Sequence, residues 1–522
     1  MEDNLFIQGS PTNSDIDLLF DSINLNNENR MEKEEILKLI ETSGIQKNDS
    51  RLALFFKNLN KIKQAITKKE FKSLISCNQL LLNKIIKGDL CIPNWSNFTQ
   101  DLEHIFESVK DNSVGNLASY IPQLAKVDEN LFSVCVTSVD GQQYSIGDND
   151  HHFCIQSCSK PISYCIAVQE HGEKIVHNHI GREPSGKNFN ELCLNENMLP
   201  HNPLINSGSI MAVSLIKYRQ SASVRFDHII EYWRRLAGGS KINFNNSVYL
   251  SERASADRNF CLGYMMQENK SFSKGKDQHY EREWDEGDLQ RNLELYFQCC
   301  SIEVNCQQAS VIAASLANGG ICPTSDDKVF SSENVKNVLS LMSSCGMYDY
   351  SGEWAYTIGI PAKSGVSGII MGVIPNVMGI AVYSPKLDEL GNSVRGINFF
   401  KKLVGMYSFH TYDSILIESK KIITKNNEYH QEFNTYLLLN SASKGDIAGI
   451  QRLISKGVDI NSEDYDKRTA LHLAASEGKE SVIRFLLSKN CNILTKDRWG
   501  NTAYDDAIEN NHQNIIALLS NS

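Results

Sequence analysis

The hydrophobic positions near the start of the chain recur at helical spacing. Between residues 31 and 115, apolar residues return every three to four positions in the segments MEKEEILKLIETSG, RLALFFKNLNKI, KEFKSLISCNQLLLNKII and NFTQDLEHIFESVK. This spacing places the apolar side chains on one face of a helix. Residues 31–115 are therefore predicted to form paired helix–loop–helix units. The preceding residues, 1–30, are polar and Asn-rich, and we expect them to be disordered.

The pattern changes after residue 115. Strand-like runs such as LFSVCVTSV (131–139) alternate with helix-like segments such as PISYCIAVQEHG and QQASVIAASLAN. The most apolar run, GIIMGVIPNVMGIAVY (368–383), is interrupted by Pro375 and Asn376. It indicates two buried strands around a turn, since neither half could span a bilayer. Residues 116–410 are therefore predicted to form a mixed α and β domain.

The C-terminal residues repeat with a period of 33. The matching positions are Ala442 and Ala475, Gly445 and Gly478, and Leu453, Leu486 and Leu519. This is the ankyrin period, and TALHLAA (469–475) resembles the ankyrin signature. Residues 434–522 hold about two units and a fragment, so we expect the short stack to rest on the preceding domain or on another subunit. The polar, lysine-bearing segment 411–433 predicts a linker helix.

Composition excludes several classes of protein. A chain of 522 residues predicts two to four domains, and its 41% hydrophobic and 22% charged content is that of an ordinary globular protein. The net charge of −10 argues against a nucleic acid or an anionic membrane as the main partner. The fourteen cysteines include no C-x-x-C pair, which indicates reduced thiols. With no signal or transit pattern at the N-terminus, we expect a cytoplasmic location.

Calcium binding is not expected in the N-terminal helical region. A calcium-binding loop needs carboxylates at its odd positions. The loop that starts at Asp21 carries Ile23 and Leu25 at its third and fifth positions.

A candidate nucleophile and base lie in QSCSKPIS (156–163). Pro161 is tolerated only in a first helical turn, so a helix should start near Ser157. Ser157 and Lys160 are three residues apart and therefore share a face. Serine needs a base to act as a nucleophile, and lysine can serve if burial lowers its pKa. Taken alone, the motif is more often a polar helix start with a solvated lysine.

A second fragment, PAKSGV (361–366), strengthens the catalytic interpretation. In penicillin-recognising enzymes, a Lys-Thr/Ser-Gly strand faces the Ser-x-x-Lys helix. Lys363-Ser364-Gly365 follows Ser157 and Lys160 in the same chain order. The two fragments predict serine acyl-transfer chemistry on an α+β fold of the serine β-lactamase and penicillin-binding type. No Ser-Asp-Asn lies between them, which argues against a β-lactamase proper.

Eight blocks carry a family resemblance. They are YIPQLAK (120–126), FCIQSCSKP (153–161), EPSG (183–186), HNPLINSG (201–208), SERASADRN (251–259), SIEVNC (301–306), SCGMYDYSGE (344–353) and PAKSGV (361–366). In this order they resemble the serine-dependent glutaminases of the animal kidney/liver type. The resemblance implies an EF-hand-like helical domain (31–115), a catalytic domain (116–410), the linker helix and the ankyrin repeats.

The resemblance also implies a reaction and its residues. L-glutamine would be hydrolysed to L-glutamate and ammonia without a metal or organic cofactor, with phosphate as an activator. Ser157 would be the nucleophile and Lys160 its base, with Tyr348 steadying the proton between them. The backbone N–H groups of Ser157 and Val366 would hold the oxyanion.

The implied substrate pocket binds both charges of the amino acid. Glu252 would pair with the α-amino group, and Asn206, Asn259 and Tyr296 would surround the α-carboxylate. Tyr120 would close the pocket. Each residue taken singly could be an ordinary packing, turn or capping residue. The implied partners are the substrate, further copies of the chain in a homotetramer built from dimers, and an unknown protein at the ankyrin repeats.

The sequence departs from the family at two places. Glu191 and Cys193 replace the usual lysine and phenylalanine in the gating loop 181–203, and residues 263–288 diverge. These changes put phosphate activation, filament formation and sensitivity to interface-directed inhibitors in question. Three alternatives stay open: an interaction or scaffold protein with an inactive catalytic-like domain, an acyl hydrolase for asparagine or a β-lactam, and a mitochondrial location, which is common in the family.

Overall fold

The computed structural model describes residues 19–21, 23, 30–63, 65–186, 190–273, 287–413, 430–455 and 458–520, without the side chains of 430–433. They belong to two units, one of residues 1–43, 47–93 and 425–522, the other of residues 44–46 and 94–424. Most of 1–30 and of 411–433, and residues 274–286 of the divergent segment, lie outside the described residues. The expectations of disorder and of a linker helix therefore stay predictions.

The N-terminal part of the first unit is helical, as predicted. Two short strands, β1 (Arg30–Met31) and β2 (Ile66–Thr67), pair antiparallel between its helices. The α-helices are Lys33–Thr42, Ala53–Leu59, Lys68–Ile75 and Gln79–Lys87, with a 3₁₀ turn at Ser50–Leu52. The segment KEFKSLISCNQLLLNKII forms two helices because Asn78 caps the second one, accepting a hydrogen bond from the Leu81 N–H at 3.2 Å. Asp21 pairs with Lys68 at 2.8 Å.

The second unit is built around a five-stranded antiparallel sheet in the order β4-β3-β10-β9-β8. Its strands are β3 (Ser133–Ser138), β4 (Gln143–Gly147), β8 (Ala362–Gly365), β9 (Ile369–Ile374) and β10 (Met378–Tyr383). The predicted strand pair around Pro375–Asn376 is confirmed as β9 and β10, with Asn376 at φ 58° in the turn. Helix Cys306–Ala317 packs directly on β10, since a Cβ on Gly379 would lie 2.1 Å from the Ala314 backbone nitrogen.

A smaller sheet and a set of helices complete this unit. The sheet has the order β5-β7-β6 and consists of β5 (His152–Cys154), β6 (Asn243–Phe244) and β7 (Ile302–Asn305). Besides Cys306–Ala317, the α-helices are Trp95–Lys110, Pro122–Ala125, Ser159–His171, Glu173–His177, Asn206–Leu215, Ala222–Leu236, Asn246–Ala254, Asp257–Glu268, Asp288–Cys300, Ser332–Cys345, Ser351–Thr357 and Val394–Met406. The 3₁₀ turns are Gln156–Cys158, Ser271–Ser273 and Tyr348–Tyr350.

Helix Trp95–Lys110 belongs with the sheet-containing unit, although the sequence pattern groups it with the N-terminal helices. Phe106 stacks on Phe132 with ring centroids 4.2 Å apart, and Phe98 meets Tyr407 edge-on at 5.2 Å. The Tyr407 hydroxyl donates to Asp101 at 2.7 Å. Periodicity shows that this helix has an apolar face, but not which core that face covers.

The ankyrin region has three helix pairs rather than two units and a fragment. The pairs are His430–Lys444 with Ile447–Ser455, Ala470–Ser476 with Glu480–Ser488, and Ala503–Glu509 with Gln513–Ser520. The first pair lacks the TALH-like start of the others, which hides it from a motif search. Helix Ile447–Ser455 contacts the N-terminal helix Gln79–Lys87 within the first unit, so the stack packs against the N-terminal helical region rather than against the domain that precedes it in the chain. In the part of the chain that the structure describes, no helix is long and apolar enough to cross a membrane.

Candidate active site

The candidate nucleophile lies in a strained turn that leads into a helix. The 3₁₀ turn Gln156–Cys158 continues into the α-helix Ser159–His171, so the predicted helix start near Ser157 is confirmed. Gln156 has φ 51°, a backbone conformation that glutamine rarely adopts. Strain of this kind persists only where the surroundings enforce it, and it concentrates at functional sites. Ser157 itself is buried, with 8% of its surface exposed.

The candidate base is a fully buried lysine. The Lys160 Nζ donates a hydrogen bond to the Asn206 Oδ1 at 2.7 Å. Burial lowers the pKa of Lys160 to about 7, and the positive charge of Lys363 acts in the same direction. Near neutral pH, a substantial fraction of this amine is therefore unprotonated and able to accept a proton.

Strand β8 lies directly against the nucleophile turn, as the two sequence fragments predict. The Cys158 thiol donates to the Lys363 carbonyl at 3.1 Å. A Cβ on Gly365 would lie 2.8 Å from the Ile155 carbonyl oxygen, so only glycine allows this approach. The buried Lys363 Nζ donates to the Ser364 carbonyl at 2.7 Å and lies 4.3 Å from the centre of the Tyr348 ring. Burial lowers the pKa of Lys363 to about 8.

Tyr348 lies beside Ser157, the candidate nucleophile, and its own backbone is strained. It begins the 3₁₀ turn Tyr348–Tyr350 at φ 53°. Burial raises the pKa of its phenol, while Ser157 and the Val366 backbone amide lower it through hydrogen bonding. The phenol therefore stays protonated at neutral pH, between Ser157 and one of the two expected oxyanion donors.

A buried carboxylate, Glu252, lies next to the turn that carries Ser157. The Glu252 Oε1 accepts hydrogen bonds from the Tyr120 hydroxyl at 2.6 Å and from the Gln156 Nε2 at 2.9 Å. Burial raises the pKa of Glu252, and these two hydrogen bonds oppose the rise. A buried carboxylate without a cation is stabilised by an incoming ammonium group.

Neutral amide groups lie around the candidate base. The Asn206 Nδ2 donates to the Asn259 Oδ1 at 2.9 Å while its own oxygen accepts from Lys160. Asn206 is also the first residue of helix Asn206–Leu215, whose N-terminus favours negative charge. Tyr296 is buried in the same region. Burial raises the pKa of its phenol well above the usual range, and the neighbouring Cys300, Glu252 and Tyr120 act in the same direction.

A buried arginine fixes the opposite end of the helix that carries Asn206. The Arg225 guanidinium donates to the carbonyls of Val213 and Ile216 at 2.8 and 2.9 Å, and to the Asn292 Oδ1 at 2.9 Å. These acceptors belong to the end of that helix and to helix Asp288–Cys300, which carries Tyr296. Arg225 therefore joins the helix that carries Asn206 to the helix that carries Tyr296.

The structure brings the predicted site residues into one connected group. They are Tyr120, Ser157, Lys160, Asn206, Glu252, Asn259, Tyr296, Tyr348 and Val366. Sequence reasoning gave no role to Gln156, which precedes the candidate nucleophile, and none to Lys363 beyond its motif. Cys300 was also missed; it lies beside Lys160 and Tyr296, and burial raises its pKa to about 12. No sequence signal distinguishes Cys300 from the other buried cysteines.

A cleft of about 600 Å³ leads to Tyr348. Three of the blocks noted in the sequence, EPSG, HNPLINSG and SCGMYDYSGE, line it through Pro184–Gly186, Asn202, Leu204–Ile205, Ser344–Cys345, Tyr348–Asp349 and Ser351–Gly352. Within the described ranges, no group of three or more histidine, cysteine, aspartate or glutamate side chains could hold a metal ion.

In this chain, the edge strand β8 carries Lys363-Ser364-Gly365 and faces the turn that carries Ser157 and Lys160. This arrangement defines the serine β-lactamase and penicillin-binding class of fold. Within it, the glutaminase family model matches residues 115–412, and ankyrin-repeat and EF-hand models match 438–522 and 16–93. The chain belongs to the glutaminase family and is an enzyme of the amide-hydrolase class, as its sequence blocks predict.

Relatives resemble the chain over nearly its whole length. It is 41% identical over 511 residues to a mouse protein named glutaminase liver isoform, mitochondrial, covering 96% of this chain and 83% of the relative. It is 41% identical over 519 residues to putative glutaminase 3 of Caenorhabditis elegans, covering 96% and 87%. A solved structure of a probable glutaminase from Bacillus subtilis, complexed with 6-diazo-5-oxo-L-norleucine, aligns with a TM-score of 0.53 at 28% identity and covers 60% of this chain and 97% of that one.

Proposed function

We propose that the enzyme hydrolyses L-glutamine to L-glutamate and ammonia through a glutamyl ester on Ser157. The observation that carries this mechanism is the fully buried Lys160, whose pKa is lowered to about 7 one helical turn from Ser157. The Bacillus subtilis relative supports the choice of substrate, because its ligand is a reactive amino acid with the length of glutamine.

In the first half of the reaction, the neutral Lys160 amine takes the proton of the Ser157 hydroxyl as Oγ attacks the side-chain amide carbon. The oxyanion that forms accepts hydrogen bonds from the backbone N–H groups of Ser157 and Val366. Preorganised donors of this kind stabilise the charge that develops in the transition state. The carbon–nitrogen bond then breaks, and Lys160 returns the proton to the nitrogen, which leaves as ammonia.

In the second half, water attacks the ester carbon and Lys160 accepts the proton that the water loses. The carbon–oxygen bond to Ser157 breaks, Oγ regains a proton and glutamate is released. The Tyr348 phenol, which faces Ser157, steadies the proton between the serine and the lysine. No metal or organic cofactor is needed for either half.

Recognition of the substrate follows from the two ends of the pocket. Glu252 binds the α-amino group, since its buried carboxylate has hydrogen-bond donors but no cation of its own among the described residues. Asn206, Asn259 and Tyr296 donate to the α-carboxylate, and Tyr120 covers the pocket. A site that satisfies both charged groups rejects amides that lack either one.

Substitution of Ser157 tests the mechanism. Ser157→Ala should lower kcat by at least about a thousandfold, because losing the nucleophile of a catalytic unit removes most of its rate enhancement. Ser159→Ala is the matched control from the same motif and should keep most of the activity. Mass spectrometry of the acid-quenched enzyme should find one glutamyl group on Ser157. Equal activity of the two variants would show that Ser157 is not the nucleophile.

A substrate panel tests the choice of amide. We expect faster turnover of glutamine than of asparagine or a β-lactam. Faster turnover of asparagine would reassign the enzyme within the same chemistry. Absence of turnover on all three substrates would favour a scaffold protein with an inactive catalytic domain.

Assembly, activation and location are further proposals that follow from the family resemblance. We propose a homotetramer built from dimers, activation by phosphate, and a protein partner at the ankyrin repeats. Light scattering with and without phosphate, run beside the activity assay, tests the first two. We propose a cytoplasmic location; the mouse relative's name supports the mitochondrial alternative, and cell fractionation distinguishes them.

A further inference from the structure

A groove of about 840 Å³ runs along the ankyrin repeats, outside the catalytic unit. It lies between the first ankyrin helix, His430–Lys444, helix Ala470–Ser476 and the loop tip Ser462–Tyr465. We call it the tyrosine groove, after Tyr436 and Tyr465 in its lining. Its volume falls in the range of about 300–1,000 Å³ that is common for binding pockets.

The lining of the tyrosine groove combines exposed aromatic rings with a largely buried apolar floor. Tyr465 is 94% exposed and Tyr436 is 62% exposed, while Leu439 is buried and Leu473 is partly buried. A side chain as exposed as Tyr465 adds little to the stability of the repeat. Tyrosines of this kind are typical anchors in protein interfaces, since they offer a large rigid surface with a polar tip.

The groove also carries negative charge without a matching cation. Glu463 is exposed and forms no ion pair within the residues that the structure describes. The Asp464 carboxylate is fixed by the backbone N–H groups of Asp466 and Arg468, at 2.9 and 2.8 Å. Among the described lining residues, none is basic.

The next loop tip shows what such a combination binds. The Arg498 guanidinium lies 4.3 Å from the centre of the Trp499 ring and pairs with Asp466 at 2.7 Å. There, an aromatic ring and a carboxylate hold a cation supplied by the chain itself. The tyrosine groove, one repeat earlier, has the same two kinds of group: the rings of Tyr436 and Tyr465 and the carboxylates of Glu463 and Asp464.

We infer that the tyrosine groove binds an extended segment of a partner protein, with an arginine or lysine side chain placed between Tyr436 and Tyr465 and against Glu463. Charge complementarity selects a basic segment, and the acidic lining excludes nucleic acid. Apolar residues on either side of the cation would cover Leu439 and Leu473.

Two labelled peptide pools test the inference on the full-length chain. Both have random flanking positions; one fixes arginine at the centre and the other fixes citrulline, which has the same shape without the charge. We expect binding of the arginine pool to exceed that of the citrulline pool by about threefold to thirtyfold, the range of an aromatic–cation contact, and to weaken as salt is added.

Variants locate the binding site. Tyr465→Ser and Glu463→Gln should each lower binding of the arginine pool at least about threefold. Tyr356→Ser is the matched control, since Tyr356 is 83% exposed in the other unit. Glutamine turnover should be unchanged in all three, which separates this test from that of the catalytic mechanism. Equal binding of the two pools, binding of neither, or equal effects of Tyr465→Ser and Tyr356→Ser would overturn the inference.

Discussion

The pair of buried lysines in the active site makes a quantitative prediction about pH. If Lys160 is the base, kcat/KM should rise with pH through an apparent pKa near 7, because only the neutral amine accepts the serine proton. Burial is the larger cause of this low pKa, and the Lys363 charge is the second. Lys363→Met removes that charge and keeps most of the side-chain volume.

The size of the expected shift follows from Coulomb's law. Two unit charges on the order of 10 Å apart, at an effective dielectric constant of about 20, interact by about 1.7 kcal/mol, or roughly one pKa unit. The pKa of Lys160 should therefore rise from about 7 to roughly 8. The neutral fraction of Lys160 at pH 7 would fall from about one half to about one tenth, lowering kcat/KM about fivefold. Above about pH 9 this effect should vanish.

The assay is a kcat/KM profile over pH 5.5 to about 9.5 for wild type, Lys363→Met and Lys402→Met. Lys402, whose Nζ bonds Ser108 at 2.7 Å on the exposed side of helix Val394–Met406, is the control for loss of a lysine charge. The readout is the pH at which kcat/KM rises to half its maximum, which marks the rising limb of the profile. Lys363→Met also removes the contacts of Lys363 with Ser364 and Tyr348, but that loss lowers kcat/KM at every pH and does not move the limb. A limb that stays in place, moves to lower pH, or moves equally in both variants would refute the reasoning.

Three further substitutions test the pocket and its supports. Glu252→Gln should raise KM for glutamine about 10- to 100-fold, because the substrate ammonium loses its counter-charge. The melting temperature should change little, since the new amide oxygen still accepts both hydrogen bonds. An unchanged KM would contradict the assignment of Glu252. Gly365→Ala should lower the free energy of unfolding by about 1–3 kcal/mol in urea titrations and reduce kcat. Gly405→Ala is the control and should be nearly neutral, because Gly405 has open space around it. A similar loss of stability in both variants would argue against the close approach of β8 to the turn. Arg225→Met should lower the free energy of unfolding by about 2–4 kcal/mol, because buried acceptors at the end of helix Asn206–Leu215 lose their donor. A loss below about 0.5 kcal/mol would show that Arg225 does not stabilise this helix end.

Much of the fold follows from local pattern. Pro161 locates the helix start because a proline without an N–H is tolerated only in a first turn. Pro375 and Asn376 mark the turn between β9 and β10 because neither continues a buried strand. Both predictions depend on a few neighbouring residues, which is the information that a single sequence contains.

What the sequence could not supply depends on long-range contacts. Helix Trp95–Lys110 has the same periodicity as the helices before it, and only the rings of Phe132 and Tyr407 show which core it covers. The roles of Gln156 and Lys363 are equally non-local. Gln156 donates a hydrogen bond to Glu252, which is 96 residues away in the chain. The positive charge of Lys363, on strand β8, lowers the pKa of Lys160.

In the proposed mechanism, the hydrogen bond from Gln156 to Glu252 limits the length of substrate that the site accepts. Gln156, which bonds the proposed ammonium anchor Glu252, and Ser157, the proposed nucleophile, are consecutive in the chain, and the strained backbone of Gln156 constrains both. The span from Glu252 to Ser157 is therefore set by the Gln156 side chain, its 2.9 Å hydrogen bond to Glu252 and the peptide unit that joins Gln156 to Ser157. An amino-acid amide shorter by one methylene group, held by the same anchor, would leave its carbonyl carbon short of Ser157. In the proposed mechanism, the turn Gln156–Cys158 sets the preferred length of the substrate, and a change in that length requires a change in the turn itself.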